Sequence, residues 1–340
     1  MAHLSGRGGR DHRALARRLI SRSGDEAQDL LTEIVALLFT GEEARLGTLL
    51  PLEPTAREDL AAMTGMEEAQ LGEALEEMAL RGLVVETERK GRAHYRLAPP
   101  VVGFFEHVFM RVGDPQQPRL ARLMEEFLVS EGVREELLET AAPLFRALVH
   151  EESISAVDTA VLTHQRASRL VQEAGYWALS ACSCRHRARH LGKACGGPME
   201  EACISLGEPA RWLVRRGFAR PAQRDEILVR LEEAARLGLV LLSDSVLDRP
   251  AFICRCCACC CLALRAVREE GIRAVRPSRL RPRRKGDCSG CGACRQACQV
   301  AAVAMEGGEP RFQPDRCLGC GLCAHACPHN LIAMRPEMGT

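Results

Sequence analysis

Cys288-Ser-Gly-Cys291-Gly-Ala-Cys294-Arg-Gln-Ala-Cys298-Gln-Val-Ala-Ala-Val-Ala-Met305 returns, changed in detail, as Cys317-Leu-Gly-Cys320-Gly-Leu-Cys323-Ala-His-Ala-Cys327-Pro-His-Asn-Leu-Ile-Ala-Met334. Every cysteine meets its counterpart 29 positions later, as 317 follows 288. Gly290 and Gly319, Gly292 and Gly321, Ala297 and Ala326, and Met305 and Met334 keep the same offset, so the stretch is an internal duplication. The spacing has a chemical reason. Each iron of a cubane cluster needs one thiolate, and cysteines three residues apart on a tight loop reach three neighbouring irons. The glycines let the backbone curl around such a cluster and aim N–H groups at sulfur. Those dipoles favour the reduced, more negative state. The fourth cysteine lies too far round the turn to complete the same cube, so it is read as a ligand of the other one. Zinc needs four cysteines per site and could be fitted to eight, but the crossed three-plus-one pattern argues against it.

Residues 286–337 resemble the bacterial two-cluster ferredoxin family. The resemblance implies one [4Fe–4S] cluster on Cys288, Cys291, Cys294 and Cys327, and a second on Cys317, Cys320, Cys323 and Cys298. It also implies two short helices and small hairpins about a pseudo-twofold axis. Pro328 after Cys327 follows the family pattern; Gln299 after Cys298 departs from it and is expected to loosen that turn slightly.

Working outward, all 18 cysteines lie from Cys182 onward, most of them one to four residues apart. Disulfides between such close neighbours are geometrically poor, and the clustering reads as metal ligation. Ten cysteines precede the duplication: Cys182, Cys184, Cys195 and Cys203, then Cys254-Arg-Cys256-Cys257-Ala-Cys259-Cys260-Cys261. Six thiols in eight residues would be an oxidation hazard if left free. They are read as metal or cluster ligands. Cys182, Cys184, Cys195 and Cys203 could supply one four-iron cluster. The second run, with Cys254, Cys256, Cys257, Cys259 and Cys260 as its candidate ligands, could hold another or share ligands with the first. His186 and His190 stand among Arg185, Arg187 and Arg189 and are read as part of a solvated basic face. Residues 222–240 read as an amphipathic helix ending near Gly238.

At the other end of the chain, residues 30–39, 56–63 and 67–81 have helical patterns. Thr55 is expected to cap the second, and Gly82 to end the third. Residues 83–87 and 93–97 read as strands of a hairpin turning through 88–92. Helices followed by a hairpin resemble a winged helix. The helix expected to enter a groove carries Glu67, Glu68, Glu73, Glu76 and Glu77, the wrong sign for DNA, so a structural or docking role is expected. Arg7, Arg10, Arg13, Arg17, Arg18 and Arg22 give a basic tail, preferred to a twin-arginine export signal because Glu33 interrupts the apolar segment and a small-residue cleavage site is missing.

The expected class is α+β and mostly helical. Its parts are a basic tail (1–26), a winged-helix-like domain (27–112), a helical cysteine-rich domain (113–275), a basic linker (276–285) and a two-cluster ferredoxin domain (286–340). The order of these parts resembles a family of ferredoxin-like iron–sulfur proteins of anaerobic microbes. A net charge of +1 provides no field toward nucleic acid or membrane, and 4% aromatics make a base-stacking platform unexpected. No apolar run of about 20 residues suggests a membrane span. Reducing cytoplasm suits thiolate ligands. With no dinucleotide fingerprint and no P-loop, the leading expectation is an electron carrier or the wiring subunit of an oxidoreductase, with two [4Fe–4S] clusters, a further cluster and a redox partner protein. The basic linker could dock an acidic partner. The alternatives are a cluster-containing reductase with a substrate site in the middle domain, and a redox-sensing winged-helix regulator.

Overall fold

The computed structural model describes residues 9–139, 143–154, 166–247 and 249–337. Arg7 of the expected tail lies outside them. The fold is mixed α+β, with more helix than strand and a mixed sheet. The chain divides into two compact units: 1–137 with 186–193 and 212–218, and the remainder.

In the first unit, the stretch expected to be a loose tail contains the helix Arg10–Leu19, whose Leu15 and Ala16 are fully buried. Its arginine-rich face masked a short apolar stripe. Helix Asp25–Leu38 follows, longer at its start than expected because Asp25 and Glu26 extend the first turn. Helix Gly41–Leu49 was not anticipated, although Thr40 and Glu43 form a capping box: the Thr40 N–H donates to Glu43 Oε2 (2.8 Å) and the Glu43 N–H to Thr40 Oγ1 (3.3 Å). Thr55 does not cap the next helix. It belongs to a two-residue strand, Thr55–Ala56, and Ala56 stands at the N-cap of helix Arg57–Thr64.

Helix Glu68–Leu80 buries Leu71, Leu75, Met78 and Ala79. Gly82 then turns the chain at φ 75°, and any Cβ there would strike the His107 ring. Strands Val84–Arg89 and Arg92–Leu97 pair around Lys90-Gly91, whose φ values of 53° and 73° suit a two-residue hairpin loop. Strand Thr55–Ala56 adds to the outer side of Arg92–Leu97. Phe39, Phe104, Phe105 and Phe127 meet edge-on at 5.0–5.9 Å in the core.

The second unit corrects the expectation of a helical middle. A seven-stranded sheet runs through it in the order Val275–Arg276, Phe145–Ala147, Val240–Asp244, Phe252–Cys256, Cys203–Leu206, Trp177–Ser180, Arg220–Ala222. The first pair is parallel and the rest are antiparallel. These strands are only two to five residues long, and two carry cysteines, so their alternation was hidden. Helix Arg224–Arg236 matches the amphipathic segment read from the sequence, with Gly238 at φ 64° beyond it. The basic stretch 276–285 is not a free linker. Leu280–Arg284 is a strand paired antiparallel with Ile332–Pro336, with Leu280 and Pro282 inward and Arg283 outward. No helix among the described residues is long and apolar enough to cross a membrane.

Candidate metal centres

The duplicated segment builds two matching loops. Helices Ala293–Ala297 and Leu322–His325 start after Gly292 (φ 73°) and Gly321 (φ 88°). Gly290 and Gly319 have φ of 73° and 66°, and even the non-glycine residues Ala301 and Asn330 match at 54° and 52°. A side chain at Gly319 would collide with Leu280 O and Ser278 Oγ, so glycine is required there by contact as well as by φ. Backbone N–H groups point at sulfur: Ala302 to Cys298 Sγ (3.1 Å), Leu331 to Cys327 Sγ (3.3 Å) and Gly290 to Cys288 Sγ (3.4 Å).

The eight cysteines sort into two small cavities. Cys288, Cys291, Cys294 and Cys327 line one. Cys298, Cys317, Cys320 and Cys323 line the other. Each set draws three cysteines from one copy of the repeat and one from the other. Leu280, Val303, Ile332 and Met334 pack with Cys294 and Cys323. Burial pushes the Cys320 thiol up to about 12, and raises Cys323 and Cys317. As free thiols they would stay protonated; a bound cation would reverse that. Four thiols around each small cavity, with N–H donors aimed at the sulfurs of Cys288, Cys298 and Cys327, fit a four-iron cluster.

The ten middle cysteines group across the two runs rather than within each. Cys195 leaves Cys182, Cys184 and Cys203 and joins Cys257, Cys259 and Cys260, with all four Sγ atoms within 4.8 Å of one another. Cys195 lies 3.5 Å from Cys257 and 3.8 Å from Cys260, and Cys260 3.8 Å from Cys259. A zinc–sulfur bond of about 2.3 Å in a tetrahedron places its sulfurs about 3.8 Å apart, so these four are proportioned for a single ion. The contact with Cys260, opposed by burial and helped by the charge of Arg185, pulls the Cys257 thiol down to about 4, whereas burial pushes Cys259 up to about 11. The remaining six, Cys182, Cys184, Cys203, Cys254, Cys256 and Cys261, gather separately around the end of the sheet. Cys261 had no place among the candidate ligands and is one of them by position.

Two further residues escaped the sequence reading. Arg185 is buried, against the expectation of a solvated face, as are His186 and Arg187. Its guanidinium donates to Pro198 O and Arg255 O, both at 3.0 Å. Burial opposes its charge, but the thiols of Cys182, Cys257, Cys195 and Cys256 outweigh burial and push its pKa up. Gln299, the departure from the family's proline, accepts from the Ala258 N–H and donates to Gly238 O, both at 2.9 Å. It ties the turn after Cys298 to the loop between Cys257 and Cys259. His186 Nδ1 donates to Phe109 O (2.8 Å) and its Nε2 faces His190 Nε2 (3.2 Å), so both imidazoles have partners other than a thiol.

Residues 287–331 match the family model of a 4Fe-4S dicluster domain. No curated protein and no solved structure matches the chain. The chain therefore carries an iron–sulfur-binding domain near its C-terminus and a four-cysteine candidate metal site, which together mark a metal-binding, redox-type protein.

Proposed function

We propose that residues 286–340 are a two-cluster ferredoxin module and that the protein transfers electrons, as a carrier or as the wiring subunit of an oxidoreductase complex in the cytoplasm. Cys288, Cys291, Cys294 and Cys327 hold one [4Fe–4S] cluster; Cys317, Cys320, Cys323 and Cys298 hold the other. The observation that carries this reading is the sorting of the eight cysteines into two crossed cavities. Bound clusters would supply one-electron chemistry. The chain's part is to fix the thiolates, exclude water with Leu280, Val303 and Ile332, and aim the N–H groups of Ala302 and Leu331 at sulfur, which favours the reduced state.

The first unit is winged-helix-like in this reading and serves docking to a redox partner protein rather than DNA binding. Two acids of its helix Glu68–Leu80 are engaged within the unit, Glu76 with Arg216 and Glu68 with Arg57, and none of its acids suits a phosphate backbone.

The test is anaerobic purification of the full chain, iron and acid-labile sulfide counts, and EPR during a redox titration. The module should contribute about eight irons and about eight sulfides with two reducible [4Fe–4S] signals. Iron without matching sulfide, or zinc in the eight-cysteine module, would overturn the reading.

A further inference from the structure

Six thiols remain when the ferredoxin-like cysteines and the four-thiol group are set aside, and they form a closed circuit. Cys182 contacts Cys184 and Cys203; Cys203 contacts Cys254; Cys254 contacts Cys256; Cys256 contacts Cys261; and Cys261 contacts Cys184. The sheet explains how they meet. Cys203 and Cys254 are register partners on neighbouring antiparallel strands. Cys254 and Cys256 lie two residues apart on one strand and so share a face, while Arg255 points the other way to Glu201 O and the Glu233 carboxylate. Cys182 and Cys184 follow strand Trp177–Ser180, the other neighbour of the strand that begins at Cys203. Cys261 stands at the N-cap of helix Leu262–Arg265. The backbone thus presets the circuit.

A hydrophobic core does not account for this group. A core of small apolar side chains gains nothing from a guanidinium, and Arg185 is buried beside Cys182 and Cys256 of this group as well as Cys195 and Cys257 of the other. A single ion does not account for it either. One tetrahedral ion needs four mutually adjacent sulfurs. Among the described residues, only Cys195, Cys257, Cys259 and Cys260 satisfy that within 4.8 Å. In the circuit each thiol has two thiol neighbours and no four are mutually adjacent, so metal held by all six would be spread over more than one position. Thiolate-only ligation selects zinc, copper(I) or iron–sulfur.

We infer that Cys182, Cys184, Cys203, Cys254, Cys256 and Cys261 hold a polynuclear iron–sulfur cluster, separate from the four-thiol site and from the two ferredoxin clusters. The choice of iron–sulfur rests on the reading of the chain as an iron–sulfur protein; the existence of a polynuclear six-thiol site does not. Thiolate-bound clusters carry net negative charge, and Arg185 supplies the buried countercharge.

The test uses the full-length protein purified without oxygen, with iron, sulfide and zinc counted per chain, in the wild type and in Cys203→Ser/Cys254→Ser. The wild type should exceed the module's roughly eight irons and eight sulfides by about four or more of each. The double variant should lose that excess and keep both ferredoxin EPR signals. An excess of iron and sulfide that is missing in the wild type or that survives the double substitution, or zinc in its place beyond the single ion of the four-thiol site, overturns the inference and leaves the proposed electron-transfer function standing. Loss of the ferredoxin signals in the wild type, with the excess present, would do the reverse. Should the double variant not fold, alkylation of the wild type decides. The six thiols should resist iodoacetamide until iron is removed by a chelator, and their modification in the freshly purified protein would overturn the inference.

Discussion

The duplicated segment and the middle cysteines gather the same side chain in opposite ways. In the duplicated segment, chain order fixes the sets: three cysteines on one glycine-rich loop and one from the other copy. In the middle, neighbours in sequence part company. Cys256 goes with the six thiols and Cys257 with the four; Cys260 and Cys261 divide the same way. A loop can wrap a cluster using only local backbone freedom, whereas a strand sends residues to faces and ends that only its pairing partners define. Ligand spacing therefore transmits its meaning through sequence in the first case and through the sheet in the second.

The largest effect should come from breaking the crossed sets. Cys298→Ser and Cys320→Ser should each remove the same EPR signal and about four irons, while Cys291→Ser and Cys327→Ser should remove the other. If Cys298→Ser instead removes the signal lost with Cys291→Ser, the two cavities do not define the clusters.

Next comes the four-thiol site. Cys259→Ser, at its exposed corner, should cost about one metal ion per chain and no sulfide. A loss of several irons with matching sulfide would show that this group belongs to a cluster, and the distinction between the two middle sets would fall.

Gln299→Ala removes two hydrogen bonds between the two regions, at a cost of about 1–3 kcal/mol. Denaturant midpoints should drop accordingly, and the four-thiol ion should exchange faster with a chelator than in the wild type. An unchanged midpoint and exchange rate would make the two regions independent.

The smallest effect lies away from the thiols. Burial holds His107 neutral, lowering its pKa from 6.5 to about 4, while its Nδ1 donates to Gly82 O at 2.8 Å. The folded value lies below the unfolded one, so its contribution is present above about pH 6.5 and is lost as pH falls toward 4, by about 3 kcal/mol at most. Trp212, whose ring centroid is 5.3 Å from that of His107, should report the change by fluorescence, and His107→Gln should flatten it. A pH profile unchanged in the variant would assign the acid sensitivity elsewhere.

Much of this was legible in the sequence, for identifiable reasons. The offset of the cysteines and glycines specified the loops of the C-terminal segment, and a hairpin was legible over 83–97, although its turn was read over 88–92 and the strands in fact run on to Arg89 and from Arg92. The middle sheet was missed because strands such as Cys203–Leu206 and Arg220–Ala222 are too short to show a period. The arginines beside Cys184 looked solvated because charge is usually exposed; Arg185 is buried because buried thiols and two carbonyls satisfy it. Gln299 could be seen only as an exception until the backbone of Ala258 appeared beside it. The Thr40–Glu43 capping box is readable in the sequence as a threonine followed three residues on by a glutamate.

The register pairing of Cys203 with Cys254 also bears on the order of assembly. Each half of the duplicated segment offers three of its four thiols from one loop of a few residues, without any distant strand pairing. The middle sites do not. Their ligands, spread from Cys182 to Cys261, come together only when distant strands have paired, a slow, non-local step in folding. Metal delivered before that step would meet scattered thiols and could trap wrong partners; metal delivered after it would lock the sheet. Maturation of this protein should therefore run in two stages, with the C-terminal cysteine loops loadable whether or not the sheet has formed and the middle sites dependent on a sheet that is already closed.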